Sequence, residues 1–427
     1  MSEDDGPTRD ELAARPTDEL RELLSATRDP TVAGRAIRAL PVSPAAGSQE
    51  TTIDDVARAV ERFDDPPHYA VAEYCRRVEQ PVLLTAHPSL LGSALREGPI
   101  HDDNYVHDVT TPIDALGSRD DPTAGTFVDD LVAALDREPQ GHEGATSLLE
   151  TIRRVQFAES EIERDEHGAP ETPLTADTVP LSAHADSVAE HADSIAAVLA
   201  RQYDPGLAQT SETARAALVV LHGIAAIDPD AVADRRVLEQ VVRALRELSP
   251  RSRAFPAARS VLVSVAEARP DAVTPHVDPV VASVAAGLRA ADADTESGPD
   301  PRETATKRLV LVADLLATHP EETVEAADWA RLRSAFGHAG PATRDAGGAL
   351  LGAAAEIEEP LARALLLELV AVAARESPET FAAHRDRIEA LAREVVGEDD
   401  RERTPGRASA ERRIADAVDA VQWATED

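Results

Sequence analysis

Four prolines punctuate the second half of this chain, and the residues before each of them repeat. Eight, five and four residues ahead of Pro229, Pro270, Pro320 and Pro378 the chain is apolar. The sets are Leu221, Ile224, Ala225; Leu262, Val265, Ala266; Val312, Leu315, Leu316; and Val370, Ala373, Ala374. Offsets of three and four place each set on one face of a helix. After three of the prolines comes an acid, then Val or Phe: Asp230 and Val232, Asp271 and Val273, Glu379 and Phe381; the Pro320 copy is looser, with Val324 one place late. Proline is tolerated in the first turn of a helix, and acids there complement its positive end. Each unit therefore reads helix, Pro-marked turn, helix. Two such helices cannot bury their apolar faces alone, but stacked neighbours can, so the predicted fold is an all-α stack of antiparallel helix pairs.

The spacing is irregular: 41 residues from Pro229 to Pro270, 50 to Pro320 and 58 to Pro378. The excess reads as two insertions, an acidic Gly/Pro-containing loop at 291–302 and a short Gly/Ala-rich helix within 339–359. A second pattern overlies the first. Val188-x-x-His191-x-Asp193-x-Ile195, Val273-x-x-His276-x-Asp278-x-Val280 and Phe381-x-x-His384-x-Asp386-x-Ile388 share one spacing. At the turn between paired helices such a His can bond a backbone carbonyl, and the Asp two residues later favours a helix start. His184 and His191 lie two helical turns, about 10 Å, apart, too far for one ion to bridge unaided.

The first third is more degenerate. Leu20-x-x-Leu23-Leu24 leads into Asp29-Pro30-x-Val32, Ala36 and Ala39-Leu40, a plausible repeat. Further helices are expected at about 53–63, 68–79, 86–96, 126–136 and 143–158, with a turn-rich stretch from Pro99 to Pro122. Dense Pro, Thr and acidic residues mark 164–180 as a linker. The expected organisation is a degenerate helical-repeat region at 1–163, the linker, and C-terminal repeats at 181–427 closed by an amphipathic capping helix at 409–425.

On the Asp29–Leu40 segment and the four Pro-anchored units, the chain resembles the HEAT-like, armadillo-type α-solenoid superfamily. The units cover most of 180–395, about half of the chain. The resemblance implies curved stacks of antiparallel helix pairs whose concave face or edge binds other macromolecules. Uneven repeat lengths and the weak N-terminal copies depart from the family pattern.

Composition supports close packing. Hydrophobic residues form 43% of the 427 residues while aromatics are only 3%, so Ala, Val and Leu fill the core and few positions remain for a large aromatic-lined pocket. The 79 acids against 43 basic residues give a formal charge of −36, and Lys307 is the sole lysine. Such a surface resembles that of cytosolic proteins from organisms that hold molar salt, such as halophilic archaea. At that ionic strength the Debye length is about 3 Å and the self-repulsion is screened. Cys75 is the only cysteine, so neither an intramolecular disulfide nor a Cys-based zinc cluster can form. The N-terminus lacks a signal-peptide pattern, and the strongest apolar run, Leu365–Ala374, is too short to span a bilayer. A soluble cytoplasmic protein with no membrane partner is expected.

No catalytic constellation emerges. A Walker A loop needs Gly-Lys-Ser/Thr, but Lys307 lies between Thr306 and Arg308. A Gly-x-Ser-x-Gly elbow is absent, and Cys75 reads as a packing residue on a helix. His101, Asp102, Asp103, His107 and Asp108 gather five potential metal ligands, a cluster that acidic composition produces in a solvated loop. His142-Glu143 is the only His-Glu pair, whereas the HEAT-like deoxyhypusine hydroxylases hold two irons with several. No catalytic residue, cofactor, metal or small-molecule substrate is assigned.

One stretch departs from the acidic background. From Asp234 to Arg259 stand Arg235, Arg236, Arg243, Arg246, Arg251, Arg253 and Arg259, against Asp234, Glu239 and Glu247. These arginines either pair with acids on adjacent repeats or form a recognition patch for an acidic partner, since Arg favours planar, bidentate contacts. The first six are the candidate partner-binding residues. The expected function is a non-enzymatic scaffold or adaptor for other proteins, in a signalling, motility or assembly complex. The alternatives are a nucleic-acid-associated protein using 235–259, against which the few aromatics available for base stacking speak, and a metal-dependent enzyme using 101–108 or 142–143.

Overall fold

A computed structural model describes residues 7–40, 48–119, 121–137, 143–157, 181–202, 211–247, 254–290, 328–338, 350–357, 360–376 and 381–397, with short stretches inside 309–323. Packing divides the chain into two compact units, Met1–Ala231 and Val232–Asp427.

Unit 1 contains α1 (Arg9–Ala13), α2 (Thr17–Ala26), α3 (Pro30–Ala39), α4 (Ser48–Val60), α5 (His68–Arg77), α6 (Pro88–Glu97), α7 (Asp103–Gly117), α8 (Val128–Arg137), α9 (Glu143–Gln156), α10 (Ala185–Ala189), α11 (Ala192–Gln202) and α12 (Ser211–Ile227). The order of packing is that of a two-layer stack. Helices α3, α5, α7, α9 and α12 follow one another in one layer; α2, α4, α6, α8 and α11 follow one another in the second. Neighbours of opposite layers, such as α2 and α3 or α8 and α9, close the hairpins. This is the α-solenoid arrangement of antiparallel helix pairs.

Local chemistry starts these helices. Thr8 and Glu11 form a reciprocal capping box at α1. Asp29 accepts from the backbone N–H of Thr31 at 2.8 Å, and Pro30 takes the first helical position of α3. Asp102 caps α7 in the same way, accepting from the Asn104 N–H at 3.0 Å. That cap overturns the expectation of turns over Pro99–Pro122. Helix α7 runs through this stretch and keeps Pro112 inside it, buried with Tyr105, Val106, Val109, Ile113 and Leu116. Burial of that apolar stripe outweighs the backbone bond that proline removes.

Arginines tie the layers of unit 1 together. In the first layer every successive pair of helices carries an arginine–carboxylate bridge: Arg38–Glu73 at 2.9 Å (α3–α5), Arg76–Asp108 at 2.6 Å (α5–α7), Arg154–Asp114 (α7–α9) and Arg215–Glu150 at 2.6 Å (α9–α12). The second layer adds Arg21–Asp55 at 2.5 Å and Arg96–Asp130. A further set of arginines, each at or near a helix end, reaches back to the open carbonyls of the preceding helix in its layer. Arg62 donates to Leu24 and Ser25, Arg77 to Arg38, Arg137 to Leu95, Arg96 and Gly98, and Arg201 to Leu135. A cation at the carbonyl end both satisfies unpaired acceptors and opposes the helix dipole. The N-terminal region is thus regular, with arginines linking successive helices of each layer.

Residues 158–180, which include the expected linker, lie outside the described residues. Helices on either side of them pack together, α9 against α10 and α12. Phe157 pairs with Leu181 in an isolated antiparallel bridge, and the Ser182 N–H donates to the Gln156 carbonyl at 2.8 Å.

After α13 (Pro229–Ala233), unit 2 contains α14 (Arg235–Glu247), α15 (Ala254–Ala268), α16 (Pro270–Ala290), α17 (Trp329–His338), α18 (Pro360–Glu376) and α19 (Arg385–Gly397). Consecutive helices pack from α14 to α19, and α14 also meets α16. All twelve residues of the apolar sets before the four prolines are buried. Pro229 and Pro270 occupy the first position of their helices. Of the two expected insertions, 291–302 lies outside the described residues, and within 339–359 residues 350–356 are helical. The expected capping helix at 409–425 also lies outside them.

The His-x-Asp pattern does not mark one recurring turn. Asp193 and Asp386 do occupy first turns, of α11 and α19. His276 and Asp278, however, sit inside α16, which continues through Pro275 and Pro279. His191 bonds the Asp129 carboxylate at 2.9 Å, and His384 is exposed. His184 does meet a backbone carbonyl, that of Asp121 at 3.2 Å.

Candidate interaction surface

The arginine-rich stretch folds into α14, and its sequence explains which way it faces. Val237, Leu238, Val241, Val242, Ala244 and Leu245 recur at offsets of three and four and are all buried. That stripe packs on α15 and α16, so the residues between them turn to solvent. Asp234 accepts from the Arg236 N–H at 2.8 Å and steadies the helix start.

Arg235, Arg236, Arg243 and Arg246 therefore share one helix. Arg235 bonds Glu239 at 2.8 Å and Arg243 bonds Glu247 at 2.9 Å, each one turn along the same helix. Arg236 and Arg246 are exposed. Four arginines against two glutamates leave α14 cationic within a chain of −36. The hydrogen bond from Arg235 to Glu239 raises the guanidinium pKa further, so the positive charge is permanent. His276 lies near both Glu239 and Arg235; burial lowers its pKa and keeps it neutral at pH 7.

Pairing with adjacent repeats, one of the two sequence readings, holds for Arg259, which bridges to Asp314 on another helical segment. Arg235 and Arg243 bond glutamates of their own helix. Arg251 and Arg253 lie outside the described residues.

The other candidate chemistry is absorbed by the fold. The His101–Asp108 cluster is no solvated loop: Asp102 caps α7 and accepts from Tyr69 Oη at 3.0 Å, Asp103 accepts from the Gly144 N–H at 2.9 Å, and Asp108 bridges to Arg76. Of the His142-Glu143 pair, His142 lies outside the described residues and Glu143 opens α9. Among the described residues no group of three or more His, Cys, Asp or Glu could hold a metal ion. Cys75 is buried, and burial pushes its thiol up to about 12, which removes it as a nucleophile at neutral pH. Among the described residues no helix is long and apolar enough to cross a membrane.

Sequence reasoning missed a buried polar cluster on α9. Arg153 pairs with Glu150 at 2.7 Å, and Glu150 also receives Arg215. Burial raises the Glu150 pKa, but the arginines outweigh it and the net shift is downward. Nearby, the Gln156 amide is fully buried and donates to the Val220 carbonyl at 3.1 Å.

No protein-family profile and no curated protein matches this chain. Solved structures with matching helical arrangements include a chain from a study of the interaction between cadherin and beta-catenin, at 11% identity and TM-score 0.39, covering 96% of this chain and 83% of that one. Importin beta crystallised with polyethylene glycol matches at 12% identity and TM-score 0.36, covering 98% and 58%. Uso1 matches at 12% identity and TM-score 0.36, covering 97% and 74%. At such scores the fold class rests on the helix pairing described above.

Proposed function

We propose that this protein is a non-enzymatic scaffold or adaptor that engages acidic segments of other proteins through the outer face of α14. The supporting observation is the asymmetry of that helix: one face buried and apolar, the other carrying four arginines, of which Arg235 and Arg243 bond glutamates of their own helix. Exposed i,i+4 pairs such as Arg235–Glu239 are weak, because water screens both charges. A partner carboxylate can therefore displace Glu239 or Glu247 at small cost. In the same reading the protein works in a cytoplasm of molar salt, within a signalling, motility or assembly complex, where self-repulsion is screened and short, bidentate contacts persist.

Affinity purification from the native lysate at native salt tests this. Proteins retained by the wild type and lost when Arg235, Arg236 and Arg246 are together changed to Glu, with helicity unchanged, support it. Equal retention by the variant removes α14 from the proposal, and no retained protein counts against a scaffold. The same arginine face admits a second reading, backbone contact with nucleic acid. Its sign would be duplex DNA binding that weakens steeply with salt.

A further inference from the structure

Tyr69 is one of two large apolar side chains left exposed among the described residues, at 45%. In a chain with four tyrosines, six phenylalanines and two tryptophans, an exposed ring is unusual. This one is also fixed. Its hydroxyl donates to Asp102 at 3.0 Å, and its ring stands edge-on to Tyr105 with centroids 5.3 Å apart at 73°. Tyr105 in turn is buried and donates to the Ala94 carbonyl at 2.8 Å. A ring held in this way gives contact area with little further loss of rotamer freedom on binding.

Tyr69 lines a groove of about 380 Å³ between α3 and the start of α5, with Pro30, Arg35, Arg38, Pro67 and Pro99 also on its walls. That volume falls within the usual range for ligand clefts, roughly 300–1,000 Å³. Its floor is shallow because the two helices nearly touch: a Cβ on Gly34 would stand 3.0 Å from the Pro67 Cβ. Prolines offer no backbone N–H, so the groove recognises by shape and ring face. Its charge is polarised. Arg35 and Arg38 come from α3, held by the Pro7 carbonyl at 3.3 Å and by Glu73 at 2.9 Å, while Asp65 comes from the loop before α5. His68 adds no charge at neutral pH, since burial lowers its pKa.

We propose that this groove binds an extended peptide of a partner protein, with a prolyl or aliphatic side chain against Tyr69 and a carboxylate beside Arg35 and Arg38. Extended, proline-containing segments suit shallow, ring-lined grooves because they lose little entropy on docking. Asp65 sets the direction by repelling a carboxylate from the α5 side. The inference shares with the proposed function the premise that the occupant is a protein segment bearing a carboxylate. It involves no residue of α14.

The test is fluorescence anisotropy of the intact chain with labelled hexapeptides Ala-Glu-Pro-Leu-Pro-Ala, its Gln and Lys counterparts, and an array varying the charged and apolar positions. The acidic peptides are expected to bind about fivefold tighter than the neutral ones. Tyr69→Ala should weaken binding at least about tenfold, Tyr69→Phe should give an intermediate loss, and Arg35→Gln should erase the preference for acid. Equal affinity across charges, undiminished binding by Tyr69→Ala, or no binding anywhere on the array would overturn the proposal. Sedimentation showing self-association that Tyr69→Ala abolishes would assign the groove to a second copy of the chain, and also overturn it. The urea midpoint of Tyr69→Ala guards against misfolding. Triple reversal on α14 should leave peptide binding intact, so the two proposals fail separately.

Discussion

Arg153 and Arg235 each bond a glutamate about one helical turn away, Glu150 and Glu239, at 2.7 and 2.8 Å. Their surroundings differ completely. The Arg153 side chain is 7% exposed and the Arg235 side chain 87%. On α9 the pair is packed between helices, and Glu150 is shared with Arg215 of the next helix in the layer. On α14 the pair lies on an outer face and holds only its own helix. The same two residue types thus serve as an internal brace in one region and as an exchangeable surface charge in the other. Desolvation makes the difference: a buried charge cannot lose its partner cheaply, and an exposed one can.

The contrast is sharpest in stability. Arg153→Ala should destabilise unit 1 by about 3 kcal/mol, because Glu150 stays buried with one arginine fewer; urea unfolding measures it, and a loss below that of surface variants would break the comparison. Gly223→Ala probes the same α9–α12 contact without changing charge. A Cβ there would stand 2.6 Å from the buried Gln156 amide, so a loss of about 2 kcal/mol is expected from overpacking. Arg137→Ala removes the donor to three carbonyls at the end of α6, and its expected cost is about 1–2 kcal/mol.

Smaller effects are expected around α14. The folded-state pKa of His276 is lowered, so the unfolded chain binds more protons than the folded chain as pH falls below the ordinary histidine value. Its contribution is therefore neutral above that value and destabilising below it. His276→Gln should flatten the fall in urea midpoint between pH 7.5 and 5. Smallest of all, triple reversal of Arg235, Arg236 and Arg246 should move the urea midpoint no more than ordinary surface substitutions do. A large shift would place those arginines among the braces.

Much of the fold was legible because it is local. The apolar triplets before Pro229 and Pro270 fix which helix face is buried, and Asp29-Pro30 marks the start of α3. The repeats of unit 1 were harder to read. Three of their bridges pair an arginine with an acid 34 or 35 residues on, Arg21–Asp55, Arg38–Glu73 and Arg96–Asp130, while Arg76–Asp108, Arg154–Asp114 and Arg215–Glu150 keep other spacings. In a chain with 79 acids such a spacing is hidden by chance alternatives. Asp102 looked like one of five metal ligands, because a cap, a ligand and a solvated acid share the same letter.

By itself, then, the sequence determined an all-α stack, the buried face of each clear repeat and the cationic stretch at 235–259, since all of these follow from periods of three and four and from charge counted along the chain. Only the tertiary structure decided which arginines are consumed as braces and caps, that the His-x-Asp copies have different roles, and that Tyr69 stands fixed beside a groove. Those outcomes depend on desolvation and on partners drawn from other helices, and neither is encoded in a local window of sequence.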